Sequence, residues 1–129
     1  MLRPARSWGQ DEREFLLSLS ELSLRKLLDD KQIEHLDFVG LAKSDFGITA
    51  VEYASRFFKS QDEKYLDEMN ARAADQGVRQ LLIRVEQQGL LSDADTARRK
   101  EAVKNHQKWI DAAKVLGCHS IAVAVTSEG

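Results

Sequence analysis

At 129 residues, with 43% hydrophobic and 31% charged residues, the chain has the length and make-up of one globular domain, or part of a larger one, rather than a disordered segment. Its net charge is −2 with both signs interspersed, which argues against a nucleic-acid-binding surface, and no run approaches the ~18 apolar residues of a membrane span. The single cysteine, Cys118, excludes an intrachain disulfide and suits the cytoplasm; inside an apolar run it reads as a small buried hydrophobe.

Residues 1–13 read as a flexible polar leader. Arg3 and Arg6 are not followed by the apolar stretch of a secretory signal, and an acidic segment begins at Asp11. Residues 14–129 read as one domain of four strand–helix units. The apolar run at 15–20 predicts a first strand, and one or two helical turns follow at 23–29. A helix is expected over 37–46, with Phe38, Leu41, Ala42 and Phe46 facing inward. A strand follows Gly47 and contains Glu52. Over 62–76, Leu66, Met69 and Ala73 fall on one helical face, with Ser60 or Asp62 able to cap the start and Glu63 suited to the first turn. Gly77 then leads into Leu81-Leu82-Ile83. Over 93–116, Ala102, Trp109, Ala113 and Leu116 form an apolar stripe widened by Val103 and Ile110, with Ser92 or Asp93 as cap. Gly117 leads into a last apolar run at 121–125.

Three times, then, a helical pattern ends in glycine and an apolar run follows at once. A residue just past a helix often takes a left-handed backbone conformation, which glycine adopts without steric penalty. The apolar runs are near-continuous rather than alternating, as in parallel strands covered by helices. The order β–α–β–α–β–α–β makes this an α/β protein, either a small open parallel sheet or a (β/α)4 half of a TIM barrel. No G-x-G-x-x-G or G-x-x-x-x-G-K-[ST] motif occurs, and Gly89 stands alone in its loop, which weakens the nucleotide-binding reading of an open sheet.

The run Leu36-Asp37-Phe38, continued by Phe46-Gly47-Ile48-Thr49-Ala50-Val51-Glu52-Tyr53, resembles the second βα unit of the xylose isomerase-like TIM barrels, the sugar phosphate isomerase/epimerase group. Ala73-Ala74-Asp75-Gln76-Gly77-Val78 with Leu81-Leu82-Ile83 is similar to the lead-in and third strand of that family, and residues 102–121 to its third helix and fourth strand. The likeness runs from about Leu16 to Val125. It implies the N-terminal half of a divalent-metal-dependent sugar (phosphate) isomerase or epimerase. Mn²⁺, Mg²⁺ or Zn²⁺ is implied for the full-length family. Its ligands sit mostly on later strands, so no metal is expected on this chain alone and no metal ligand is assigned. The sequence departs from the family where Ala122 and Ala124 replace an expected Arg and Asn, where 86–89 read Glu-Gln-Gln-Gly, and where Glu21 takes a position common for an aromatic residue.

Chemistry in such barrels sits at the C-terminal ends of strands. The polar residues there are Ser20 and Glu21, Glu52 and Ser55, Arg84 and Glu86, and Thr126 and Glu128. Glu52, Arg84 and Glu86 are the substrate-binding candidates; no catalytic residue is assigned. A carboxylate inside an apolar strand must find a partner or keep its proton, and a structural ion pair between Glu52 and Arg84 is the stronger expectation. Arg84 could hold a sugar hydroxyl or a phosphate, and Glu86 could act as a base, though an exposed loop carboxylate is the plainer reading. His35, His106 and His119 are scattered and lack metal-site spacing. Asp93 and Asp95 mark a helix start, and 98–101 read as a solvated helix face. The alternative to a sugar enzyme is a non-catalytic half-barrel, truncated or engineered, with an apolar open sheet face that pairs as a homodimer to close a barrel. Partners are accordingly a second copy or a C-terminal half, with a small sugar as ligand and neither nucleic acid nor membrane.

Overall fold

In the computed structural model, residues 15–125 are described, so the leader and the candidates Thr126 and Glu128 lie outside the described residues. Four strands, β1 (Leu19–Ser20), β2 (Ala50–Ala54), β3 (Arg79–Val85) and β4 (Ser120–Val123), form one sheet in the order β1-β2-β3-β4, every pair parallel. Helices α1 (Arg25–Asp29), α2 (Phe38–Phe46), α3 (Glu63–Gln76) and α4 (Thr96–Val115) lie between them in the chain. The expected β–α repeat is present, with adjacent strands in space following chain order.

The αβ junctions close as the glycines predict. After α3, Gly77 takes φ 64°, its N–H bonds the Ala74 carbonyl and the Val78 N–H bonds that of Ala73. After α4 the arrangement recurs at Gly117, with φ 71° and bonds from Gly117 to Lys114 and from Cys118 to Ala113. Both are Schellman closures, which satisfy helix-end carbonyls and turn the chain straight into a strand.

The core lies between the sheet and α2–α4. Val51, Tyr53, Ile83 and Val85 point from the sheet onto Phe38, Val39 and Ala42 of α2, Leu66, Met69 and Ala73 of α3, and Trp109, Ala113 and Leu116 of α4. Strand alternation sends the other residues to the opposite face. There the register aligns Ser20, Glu52, Leu82 and Ser120 in one row and Ala54, Arg84 and Ala122 in the next. The open face of the half-barrel is therefore mixed, not the apolar face expected.

Several element boundaries differ from the sequence reading. The first strand shrinks to two residues, and Phe15, Leu16 and Leu17 are 97%, 87% and 70% exposed. β2 offers ladder partners only to Leu19 and Ser20, and without a partner or a covering helix an apolar run gains nothing by extending. Phe46 is 51% exposed while Val39 is buried, so α2 is rotated relative to the expected face. Val103 and Ile110 are also exposed, and His106 and Ala112 take the buried positions on α4. The cap of α4 is Asp95, whose carboxylate accepts from the Arg98 N–H at 2.8 Å, rather than Ser92 or Asp93. Asp93 instead accepts from the Asp95 N–H and from Arg98 Nε, which holds its carboxyl below the usual range. Asp62 caps α3 as predicted, accepting from the Tyr65 N–H at 2.8 Å.

Candidate functional site

The C-terminal strand ends open onto a cleft of about 630 Å³ whose wall includes Arg25, Arg56, Arg84, Glu86, His106 and Ala122. Its volume falls in the range that holds small organic ligands. Each wall residue is placed by a strand end or by the helix packed behind it.

Arg84 stands between Ala54 and Ala122 in its row, two small neighbours that leave its long side chain room above the sheet. Its Nε lies 3.6 Å from Glu86 Oε1. Glu52 accepts a hydrogen bond from Ser18 Oγ at 2.9 Å and sits in register with Leu82. The expected Glu52–Arg84 ion pair is thus replaced by Glu52–Ser18 and Arg84–Glu86, because Arg84 lies two residues farther along β3. Of the three candidates, Arg84 and Glu86 meet in the cleft wall, and Glu52 lies one row below.

The loop after β3 is held tightly. The Glu86 N–H donates to the buried Ser55 Oγ at 2.9 Å, joining the ends of β2 and β3. Gln88 Nε2 donates to the Glu86 carbonyl, and Asn105 Nδ2 on α4 donates to the Gln88 carbonyl. Gln87 takes φ 57°, an uncommon left-handed conformation for a residue with a side chain. Gly89 takes φ 91°, and a Cβ there would come within 3.0 Å of Ala102 Cβ. Gly89 therefore serves the close approach of this loop to α4.

His106 sits one turn after Ala102 on α4, and its Nδ1 lies 2.7 Å from the Ala102 carbonyl oxygen. A carbonyl can only accept, so Nδ1 carries a proton toward it. Sequence spacing places His106 on the apolar stripe but does not show that the stripe passes the cleft. On the β1–β2 side, Arg56 donates from Nη2 to both carboxylate oxygens of Asp29 at 3.1 and 3.3 Å, and its guanidinium lies 5.1 Å from the Phe57 ring centroid.

Behind the cleft lies a buried polar chain missing from the sequence candidates. Glu21, the residue after β1, is fully buried; its Oε2 accepts from the Ala54 N–H at 2.7 Å and its Oε1 lies 2.8 Å from His35 Nε2. His35 Nδ1 lies 2.7 Å from the Tyr65 hydroxyl. With the carboxylate ionised, Nε2 carries a proton toward it, and Nδ1 pairs with the Tyr65 hydroxyl. Phe58 and Tyr53 enclose the imidazole, with ring centroids 4.6 and 5.7 Å away. Burial raises the Glu21 pKa, while the hydrogen bond and charge of His35 and the Ala54 N–H oppose the rise. The only sequence signal was a carboxylate directly after a strand; nothing in the spacing paired Glu21 with His35, fourteen residues on.

Among the described residues no three His, Cys, Asp or Glu side chains converge as a metal-binding group. The described carboxylates at the strand ends are committed elsewhere: Glu21 to His35 and Ala54, Glu86 beside Arg84, and Glu52 to Ser18. The described residues at the strand ends do not fit a divalent metal. Cys118 is half-buried against the core and its thiol is pushed up to about 11 by burial, so it is not a reactive nucleophile. No described helix is long and apolar enough to cross a membrane.

No protein-family model matches the chain. No curated protein matches it by sequence. Among solved structures it is similar to D-psicose 3-epimerase in the presence of D-fructose, with a TM-score of 0.62 and 16% identity, covering 84% of this chain and 36% of that one. Identity at that level speaks for the fold alone, and the chain spans little more than a third of the matched structure's length. The parallel sheet, its strand order and this match together give the described residues the fold of part of a TIM barrel, four parallel strands and the helices that cover them.

Proposed function

We propose that this chain is the sugar-binding N-terminal half of an isomerase or epimerase barrel, acting on a small ketose or aldose. The observation that carries the reading is the cleft at the C-terminal strand ends, where such barrels place their chemistry, on a fold shared with an enzyme solved in the presence of D-fructose. Arg84 and Glu86 supply a donor and an acceptor for sugar hydroxyls, and Glu52 extends the polar row beneath them. The divalent metal and the proton-transfer groups come from a complementary half, since the described strand-end carboxylates Glu21, Glu52 and Glu86 are already partnered. Titration of the ¹⁵N-labelled chain with D-fructose is expected to shift the backbone amides of Val85, Glu86 and Ala122 first. Arg84→Ala is expected to weaken that binding by about tenfold, the loss of one charged hydrogen bond. Unshifted cleft amides at high D-fructose would overturn the reading. Solvent deuterium should not enter the sugar with this chain and Mn²⁺ alone; incorporation would overturn the assignment of proton transfer to the other half.

A second reading is a non-catalytic half-barrel closed by a second copy of itself. It is favoured by β4, which ends the sheet with one edge lacking a described neighbour and leaves Val123 42% exposed. Light scattering after size exclusion tests it: a mass of twice 14.6 kDa supports closure by two copies, and a 14.6 kDa monomer excludes it.

A further inference from the structure

We propose that the buried Glu21–His35 pair is a proton-dependent clamp on the cleft, one that sets the position of its β2 and β3 wall through the Ala54 N–H and Ser55. The clamp acts on the wall itself, whatever ligand the cleft takes, so it stands or falls apart from the sugar-binding reading.

It begins where the sheet ladder stops. β1 pairs with β2 only at Leu19↔Val51 and Ser20↔Glu52, and the chain then leaves the sheet in the turn Glu21–Leu24. Ala54 lies two residues farther along β2, is buried, and has no β1 residue in register with it. The Glu21 carboxylate fills that place, accepting the Ala54 N–H at 2.7 Å. A side chain that titrates thus stands in for a ladder carbonyl, which does not.

From Ala54 the contact reaches the cleft in one further step. Ala54 is in register with Arg84 on β3, and the buried Ser55 beside it accepts the Glu86 N–H at 2.9 Å. The Glu86 carbonyl accepts from Gln88, whose own carbonyl accepts from Asn105 on α4. Arg84, Glu86 and Gln88 all belong to the cleft wall. On the far side of the pair, His35 meets the Tyr65 hydroxyl in the first turn of α3. The exposed pairs Arg56–Asp29 and Lys59–Glu34 join the same two stretches, 29–35 and 56–65. Exposed ion pairs contribute little, so the buried contact is the one that fixes these stretches.

Protonation decides how firmly the clamp holds. A hydrogen bond to an ionised carboxylate is roughly twice as strong as one between neutral groups. A proton on Glu21 therefore weakens its hold on Ala54 and, with it, the support that Ser55 gives Glu86. Burial raises the Glu21 carboxyl above its ordinary 4.5, against the hydrogen bond and charge of His35 and the Ala54 N–H. The other groups around the pair behave differently. Burial pushes the Tyr53 hydroxyl on β2 and the Tyr65 hydroxyl on α3 up, and the Cys118 thiol, which acts on Tyr53, up to about 11. Lys59 holds the Glu34 carboxyl below 4.5, on the opposite side from Glu21. Arg72, which acts on Tyr65, is held by Glu68 and Asp37, and Arg56 and Asp29 hold each other.

The test follows backbone amide shifts of the whole ¹⁵N-labelled chain, free of ligand, from acid to neutral pH. It is run on the unmodified chain and on Glu86→Gln, where position 86 has no carboxyl of its own. The amides at positions 54 and 86 are expected to move together, with one midpoint above 4.5. His35→Phe should carry that midpoint higher, because the imidazole opposes the rise. Glu21→Gln, which keeps an acceptor for Ala54, should abolish both titrations. Ser55→Ala should leave the titration at 54 and remove the one at 86. A still amide at 54, or an amide at 86 that is still or has its own midpoint, overturns the clamp. So does a common midpoint at or below 4.5, which belongs to an exposed carboxylate such as Glu34. Titrations that survive Glu21→Gln, a midpoint unmoved in His35→Phe, or coupling that survives Ser55→Ala overturn it as well. The unmodified chain and Glu86→Gln decide by themselves where a change at the buried pair prevents folding.

Discussion

Glu21 is the least expected side chain in the molecule, a carboxylate with no exposed surface in a chain otherwise built on aliphatic and aromatic contacts. Ionised and stripped of water it would be costly, and the structure answers with the Ala54 N–H on one oxygen and His35 on the other. Among the described residues His35 Nε2 and Glu21 Oε1 have no partner but each other. Tyr65 holds the far side of the ring, and the Tyr53 hydroxyl turns away to donate to Gln80. Replacing Glu21 by Leu leaves the Ala54 N–H and the imidazole unsatisfied, and is expected to lower stability by roughly 3 kcal/mol in urea denaturation. Glu21→Gln keeps an acceptor for Ala54 and should cost less. The folded-state pKa of Glu21 lies above the ordinary 4.5, so the folded state binds its proton more tightly. Its contribution to stability therefore falls as pH rises from about 4.5 through the raised folded value, and levels off beyond it. In Glu21→Gln that slope should vanish from a plot of urea midpoint against pH; an unchanged slope would mean that another group carries it.

The elements are tied together by junction chemistry, and two glycines separate its kinds. At Gly77 a Cβ would meet nothing within 4 Å, so Gly77→Ala bears only the cost of a left-handed backbone at φ 64°, about 1 kcal/mol. At Gly89 the same change adds a contact at 3.0 Å with Ala102 on α4, a helix fixed by its own core packing. Gly89→Ala is expected to cost about 1–2 kcal/mol more than Gly77→Ala, from overpacking. It should also loosen the 86–89 loop, seen as faster amide exchange at Glu86. Asp62→Ala removes the cap of α3 and should cost about 1 kcal/mol. The Tyr65 N–H and Ser60 hold the Asp62 carboxyl below its usual range, so the cap is retained well into acid.

For the molecule as a whole, the sheet uses its two faces differently. One is sealed by α2, α3 and α4 around Phe38, Ile83 and Trp109; the other carries Glu52, Leu82, Arg84 and small residues. A mixed open face suits a surface that holds a ligand or closes against another half, more than a collapsed hydrophobic dimer. If a second copy completes the barrel, it must pair along the sheet edges, and a charge at the β4 edge should prevent that. Val123→Arg is expected to convert a dimer into a monomer by light scattering while leaving the circular dichroism unchanged; a persistent dimer would place the contact elsewhere.

What the sequence by itself determined was local. Gly77 and Gly117 announced the helix ends because a left-handed closure is written in the residue that adopts it. Asp62 announced its helix because a cap acts three residues away, and the apolar runs at β3 and β4 were legible as covered parallel strands. The residues at 15–17 misled, because an apolar run becomes a strand only where another strand offers it hydrogen bonds. Arg84 and Glu86 were legible as strand-end groups, while their pairing with each other rather than with Glu52 depended on register, which no single strand contains. Only the tertiary structure placed Arg25, Arg56 and His106 on one cleft and closed Glu21 onto His35, since these contacts join segments from different elements and are set by how the helices pack on the sheet.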